Sequence, residues 1–247
     1  MNATQVVSTT APAIYSLGSA YYFAPETLQV GKEAGLDGFR FYFLGRGGVL
    51  GDVEAPVIAS AFGYFEPTLL QGMWDSAREV MSPREAARLH LQCAHRYGRA
   101  HFSQVGGLDD FCAAAETIVA AADPAGLALF AGYASEPLPE DLPARAMQLV
   151  AVLRELRGSA HLLAVVASGL APKAAHYLKR PGDFGLFGWS DDDVPQVTDD
   201  DHRAMAAAEE LTDRLVRVPY EALDGYGRTS FVTGVERMEA ALAVGEP

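Results

Sequence analysis

The feature that most constrains this chain is a long, mostly apolar stretch at residues 144–170. Its apolar residues recur at the spacing of an α-helix and cover most of the helix surface. A helix of this kind is expected to lie buried in the fold. Arg154, Arg157 and His161 interrupt the apolar surface along one stripe. Because a buried guanidinium group is costly unless it is paired, we predict that the stripe meets either an internal carboxylate or a pocket for an anionic ligand.

The rest of the chain also favours helices, because almost no segment alternates between apolar and polar residues. We predict an all-α protein of roughly ten helices, with room for a minor strand or two near residues 183–189. The aromatic residues 39–44 favour helix. Residues 1–10 are small and polar, so we predict a loose lead-in without regular structure. The glycines of residues 45–51 predict a flexible connection.

A proline-rich segment at residues 136–143 is the clearest linker, with three prolines in eight residues. Prolines at this density interrupt regular helix, so we predict two packed helical halves. The first, residues 1–135, carries a cluster of aromatic residues. The second, residues 144–247, carries the stripe of basic residues.

Composition argues against several classes of partner. The formal net charge of -13 and the scattered 19 Lys and Arg residues would repel a phosphate backbone, so nucleic acid is not expected. Two cysteines without a repeated spacing predict no disulfide scaffold and fit a reducing compartment. No basic leader or membrane-length apolar run is present, so we expect a soluble, cytoplasmic protein with no membrane partner.

The basic residues are candidates for chemistry on a small molecule. His161 is a candidate general acid or base, and Arg157 and Arg46 are candidates to hold developing negative charge. The alternatives are structural: His161 as a core histidine bonded to a backbone carbonyl, and Arg46 in an ion pair with Glu26 or Glu66. Arg46 lies between glycines, where a bare backbone permits close approach of a ligand or of a neighbouring helix.

Tyr22, Glu26, Arg46 and Arg154 are the predicted substrate-binding residues. Glu26 lies one helical turn after Tyr22 and is positioned to share a hydrogen bond with it. The surrounding aromatic residues are suited to wall a pocket for a flat or polycyclic molecule, or they simply form core. Gly158 within an apolar helix indicates that something packs closely there.

No metal or cofactor is predicted. His90, Cys93, His95 and His101 are close in sequence, but they do not converge on one helix face. The glycine-rich nucleotide loops and the serine-nucleophile motif are absent from the sequence. The two runs of aspartates, residues 191–193 and 199–201, are interpreted as solvated surface.

An ordered set of short motifs resembles the SalK-type family of high-GC bacterial proteins, which are often labelled helix-turn-helix. In chain order the motifs are Tyr22-Phe23-Ala24-Pro25-Glu26, Gly45-Arg46 with Val49-Leu50-Gly51, residues 62–67, Asp123-Pro124-Ala125-Gly126, Arg157-Gly158-Ser159-Ala160-His161 with Gly169-Leu170, and Gly188-Trp189-Ser190-Asp191. The resemblance implies a winged-helix-like unit in the second half. Here the segment that would read DNA is shortened to residues 194–201 and is acidic, so we expect a degenerate unit that reads no DNA.

These observations lead to one main hypothesis and two alternatives. The main hypothesis is an enzyme of specialised metabolism, a cyclase, isomerase or lyase that uses no cofactor and acts on a small-molecule substrate. The first alternative is a ligand-binding or sensing protein that converts nothing, and the second is a DNA-binding transcription factor. The terminal helices are candidates for a homodimer contact.

Overall fold

In the computed structural model, which describes residues 1–243, the chain consists of α-helices and short 3₁₀ turns. The described part contains twelve α-helices and no strand, which confirms the all-α prediction. The helices are α1 (Ala3–Ser19), α2 (Pro25–Glu33), α3 (Gly38–Gly47), α4 (Ala55–Phe62), α5 (Pro67–Arg78), α6 (Pro83–Phe102), α7 (Leu108–Ala121), α8 (Ala128–Ala134), α9 (Leu142–Ala167), α10 (Pro172–Lys179), α11 (Asp199–Tyr220) and α12 (Gly225–Ala243).

The long apolar stretch forms α9, which lies at the centre of the fold. It packs against α1, α6, α7, α8 and α11. The Asp141 side chain caps its first turn by accepting a hydrogen bond from the Ala144 amide at 3.2 Å. Gly169, with a φ of 75°, ends the helix in the left-handed region that favours glycine. The burial expected from the apolar surface is therefore observed.

Residues 1–10 are not a loose lead-in, and that prediction is wrong. Helix α1 begins at Ala3, and Asn2 and Gln5 form a reciprocal capping box at its start. Val6 is fully buried, and the Thr10 hydroxyl donates to the Val6 carbonyl at 2.8 Å, which satisfies this buried polar group inside the helix. Burial against the rest of the chain outweighs the weak helix preference of these small residues.

Residues 45–51 are not a flexible connection either. Helix α3 continues to Gly47, and a 3₁₀ turn follows it. The glycines are needed because this segment packs directly on α6. A Cβ atom on Gly48 would lie 2.0 Å from the Pro83 carbonyl oxygen. Close approach of a neighbouring helix, one of the two expected reasons for these glycines, is what the fold uses.

The segment between α10 and α11 contains no strand and no α-helix. Three 3₁₀ turns span residues 181–193, and the chain is then irregular up to Thr198, which caps α11. Within residues 1–243, none of the helices has both the length and the apolar character required to cross a lipid bilayer.

Candidate functional site

A carboxylate at the centre of the molecule meets two arginines. Glu155 on α9 is fully buried. Arg46 on α3 donates from Nε to Glu155 Oε1 at 2.9 Å and from a terminal nitrogen to Oε2 at 2.8 Å. Arg154 donates to Oε1 at 2.8 Å. The structure thus provides the internal carboxylate that the basic stripe was predicted to meet.

Two tyrosines complete this group, which we call the guanidinium cluster: Arg46, Arg154, Glu155, Tyr22 and Tyr42. The Tyr22 hydroxyl donates to Glu155 Oε1 at 3.0 Å and accepts from Arg154 at 3.3 Å. The Tyr42 hydroxyl accepts from Arg46 at 3.0 Å. Glu155 therefore accepts four hydrogen bonds, three at Oε1 and one at Oε2.

The carboxylate of Glu155 stays ionised despite its burial. Burial alone would raise its pKa, but the charges of Arg46 and Arg154 outweigh this effect and lower the pKa to about 2. Hydrogen bonds from Arg46 and Tyr22 act in the same direction. Glu155 is consequently an anchor for cations and is unsuited to act as a general base.

The guanidinium cluster contains more positive than negative charge. Within residues 1–243, neither Arg46 nor Arg154 has an acidic partner other than Glu155. The Nε atom of Arg154 is buried and has no hydrogen-bond partner in the described part of the chain. The side chains of Arg46 and Arg154 are 10% and 13% exposed, so each keeps a small contact with solvent. One buried positive charge is left uncompensated, which favours an anion nearby.

Helix α1 positions Arg154 through a close contact. A Cβ atom on Gly18 would lie 2.7 Å from Arg154 Cβ, so only glycine allows this arginine to lie across α1. The rings of Tyr15 and Tyr22 flank it, with centroids 5.1 and 5.0 Å from its guanidinium carbon. Stacking on aromatic rings favours a guanidinium group in this position.

A second polar group adjoins the guanidinium cluster and was missed as a site by sequence reasoning. The Tyr21 hydroxyl lies 3.3 Å from His90 Nδ1, and both residues are fully buried. Burial and the charge of Arg46 lower the pKa of His90 to about 3, so the imidazole is neutral. His90 Nε2 is buried without a hydrogen-bond partner in residues 1–243. The same residues contain no group of three or more side chains arranged to hold a metal ion.

The structure does not bring Arg157 to the guanidinium cluster. Arg157 turns towards α11, where it donates to Asp213 at 2.8 Å and lies 3.6 Å from Glu209. The basic stripe of α9 therefore divides between two environments, because successive turns of this long helix face different neighbouring helices. Only Arg154 shares a carboxylate with Arg46.

His161 lies beside Arg157 and faces Thr212 of α11. Its Nδ1 atom is 3.1 Å from the Thr212 hydroxyl oxygen, and that hydroxyl donates its single hydrogen to the Ala208 carbonyl at 2.7 Å. Nδ1 must therefore carry the proton, which leaves Nε2 with a free lone pair. Burial lowers the pKa of His161, with further lowering by nearby cations against the opposing charge of Glu209.

A surface depression of about 380 Å³ lies between α10 and α11 near this histidine. Glu209 lines the depression together with Lys179 and His202, and it also interacts with His161. Neither predicted catalytic residue lines this depression, but both interact with Glu209, which does.

A sequence comparison decides the family. A model described as a helix-turn-helix family matches residues 7–246. The chain belongs to this helix-turn-helix family. No curated protein and no solved structure matches the chain.

Two expectations about acidic partners are wrong in this helix-turn-helix family protein. Tyr22 does not share a hydrogen bond with Glu26, because its hydroxyl is turned inwards to Glu155. Glu26 is exposed and lines a small surface pocket of about 210 Å³ between α2 and α6. Arg46 pairs with neither Glu26 nor Glu66, since Glu66 instead caps α5.

The expectation for Gly158 is also wrong. A Cβ atom there would have no neighbour within 4 Å, so nothing in the described chain packs on this glycine. Gly158 lies one helical turn after Arg154 and is exposed. Glu155 was overlooked, although it is the one acidic residue in residues 144–170. A lone carboxylate in an apolar helix is the signal that predicts a buried ion pair.

Proposed function

We propose that this protein binds a small anionic organic molecule at the guanidinium cluster. The observation that carries the proposal is that the guanidinium groups of Arg46 and Arg154 share one carboxylate. An anionic group of a ligand would compensate the remaining charge where the side chains of Arg46 and Arg154 reach solvent. Aromatic rings around the arginines favour a flat ligand, since the Phe62 centroid is 4.3 Å from the Arg46 guanidinium carbon.

The proposal needs neither nucleic acid nor a redox cofactor. It agrees with the resemblance to SalK-type proteins and with a cytoplasmic location. It also keeps the helix-turn-helix label as a description of ancestry, since a fold does not by itself define an activity.

A second candidate function is that the protein also converts a small molecule, bound in the depression between α10 and α11, in a cyclisation, isomerisation or elimination. The hydrogen bonds of His161 favour it, because a neutral imidazole with a free Nε2 lone pair is able to accept a proton. In this case His161 moves the proton, and Arg157 beside it stabilises negative charge.

Binding is tested by calorimetry with a matched pair of probes, 2-naphthoate and the neutral 2-naphthalenemethanol. We expect the anion to bind at least about tenfold more tightly, as one charge-assisted interaction predicts. Arg154→Gln should remove this preference. In this variant the remaining Arg46–Glu155 pair has no net charge, so no unpaired ion is left in the core. Arg99→Gln, at an exposed pair with Asp141, is the control that keeps it. Equal affinity of wild type for both probes would overturn the proposal.

Conversion is tested by incubating the protein with candidate anionic intermediates and following both retention and mass. Retention with unchanged mass supports binding alone. A change of mass that is lost in a folded His161→Ala variant supports catalysis by this histidine. Undiminished turnover in that variant excludes it.

A further inference from the structure

We infer that the ligand carries two anionic groups and that Arg180 binds the second one. This inference rests on the proposed function, and it names a binding residue and a ligand class for the same site. The ligand class is a flat dianion, such as an aromatic dicarboxylate, that spans Arg154 and Arg180.

Four side chains form an alternating stack that we call the guanidinium ladder: Arg180, Tyr15, Arg154 and Tyr22. The Arg180 guanidinium carbon lies 4.7 Å from the Tyr15 centroid, and the Arg154 carbon lies 5.1 Å from the same centroid. Tyr22 follows on Arg154 at 5.0 Å. The Arg180 side chain is 39% exposed and that of Arg154 13%, so the ladder runs from the surface into the core.

The outer end of the ladder lacks strong charge compensation. Arg180 has one acidic partner in the described chain, Asp183, at 3.7 Å and with both side chains exposed. A pair of this kind contributes little. The two guanidinium carbons beside Tyr15 are at most about 10 Å apart, so their charges repel each other. Cation–π contact with Tyr15 holds both groups but adds no negative charge.

An exposed glycine lies near each arginine of the ladder in sequence. Gly158 lies one turn after Arg154 and Gly182 two residues after Arg180, and a Cβ atom on either would have no neighbour within 4 Å. A flat molecule that lies along the ladder would place one anionic group at each guanidinium. The partly buried Arg154 then fixes one end, and the exposed Arg180 selects for a second charge.

The test compares naphthalene-2,6-dicarboxylate with 2-naphthoate by calorimetry. We expect wild type to bind the dicarboxylate at least about tenfold more tightly, and Arg180→Gln to bind both probes equally. The Kd for 2-naphthoate should stay within about twofold in this variant, because Arg154 is retained. Arg203→Gln, at an exposed pair on α11, is the matched control and should keep the preference.

The outcomes separate this inference from the proposed function. Binding of 2-naphthoate with no preference for the dicarboxylate would overturn the inference and leave the proposed function standing. A preference that survives Arg180→Gln would exclude Arg180 as its source. Failure of wild type to bind either probe would overturn both.

Discussion

At the scale of single residues, Glu155 has the largest effect that we expect on stability. A buried ion cluster contributes little net stability compared with an apolar core of the same shape, but losing one partner is costly. Because Glu155 serves two arginines at once, its removal would leave both cations buried without a counter-charge. The cluster as a whole is therefore expected to add little net stability, which is consistent with the proposed role in ligand binding.

Glu155→Gln should lower the free energy of unfolding by about 3 to 5 kcal/mol at neutral pH. The ordinary pKa of 4.5 falls to about 2 in the folded chain, so ionised Glu155 stabilises fully above pH 4.5 and loses this contribution as the pH falls towards 2. The difference between wild type and variant in urea titrations should shrink over the same window. Asp141→Asn, which breaks an exposed pair, should cost less than about 1 kcal/mol.

His90 should give the protein a second source of acid sensitivity. Its pKa falls from 6.5 to about 3 on folding, so below pH 6.5 the unfolded chain binds a proton that the folded chain does not. Stability from this residue is complete above pH 6.5 and is lost at up to about 1.4 kcal/mol per pH unit as the pH falls to 3. Denaturation of His90→Gln should show a correspondingly shallower pH dependence, and an unchanged slope would contradict the assignment.

At the scale of helices, glycine determines how closely α3 approaches α6. Gly48→Ala should destabilise the protein by at least about 2 kcal/mol, because its Cβ would overlap the Pro83 carbonyl oxygen. Gly158→Ala is the matched control, since its Cβ enters open space within a helix. That variant should stabilise by about 0.5 to 1 kcal/mol, as measured by denaturation in urea. Equal effects of the two substitutions would show that packing does not explain the glycines.

The start of α6 follows local rules, whereas the burial of α1 does not. Ser82 and Glu85 open α6 with a capping box, which acts over three residues and needs no distant partner. The start of α1 has a capping box as well, but the apolar contacts of Val6 come from distant parts of the chain. The local sequence of residues 1–10 therefore did not predict that this segment forms part of a buried helix.

At the scale of the whole molecule, we expect a single cooperative unfolding transition. One contiguous apolar core includes residues of both predicted halves, from Val6 to Met238. Trp74 is buried in the first half and Trp189 lies in the second. Tryptophan fluorescence and far-UV circular dichroism should therefore give coincident urea curves. Two separated transitions would mean that the halves are independent folding units.

The acidic surface leads to a prediction about nucleic acid. With a formal charge of -13 and no α-helix between α10 and α11, the protein should not bind a random duplex at physiological salt. Fluorescence anisotropy with a labelled duplex measures this directly. A complex that persists at moderate salt would favour the transcription-factor alternative.

The sequence by itself determined the helical class and the position of Arg46, Arg154 and Tyr22 as polar residues in an apolar setting. These properties depend on the spacing of residues within one or two helical turns, and that spacing is visible directly in the amino-acid sequence. Only the tertiary structure decided that Arg46 meets Glu155, which lies 109 residues away in sequence, and that Arg157 and His161 face α11 instead. Such pairings depend on how whole helices pack. A buried charge is tolerated only where a helix distant in sequence supplies a partner of opposite charge.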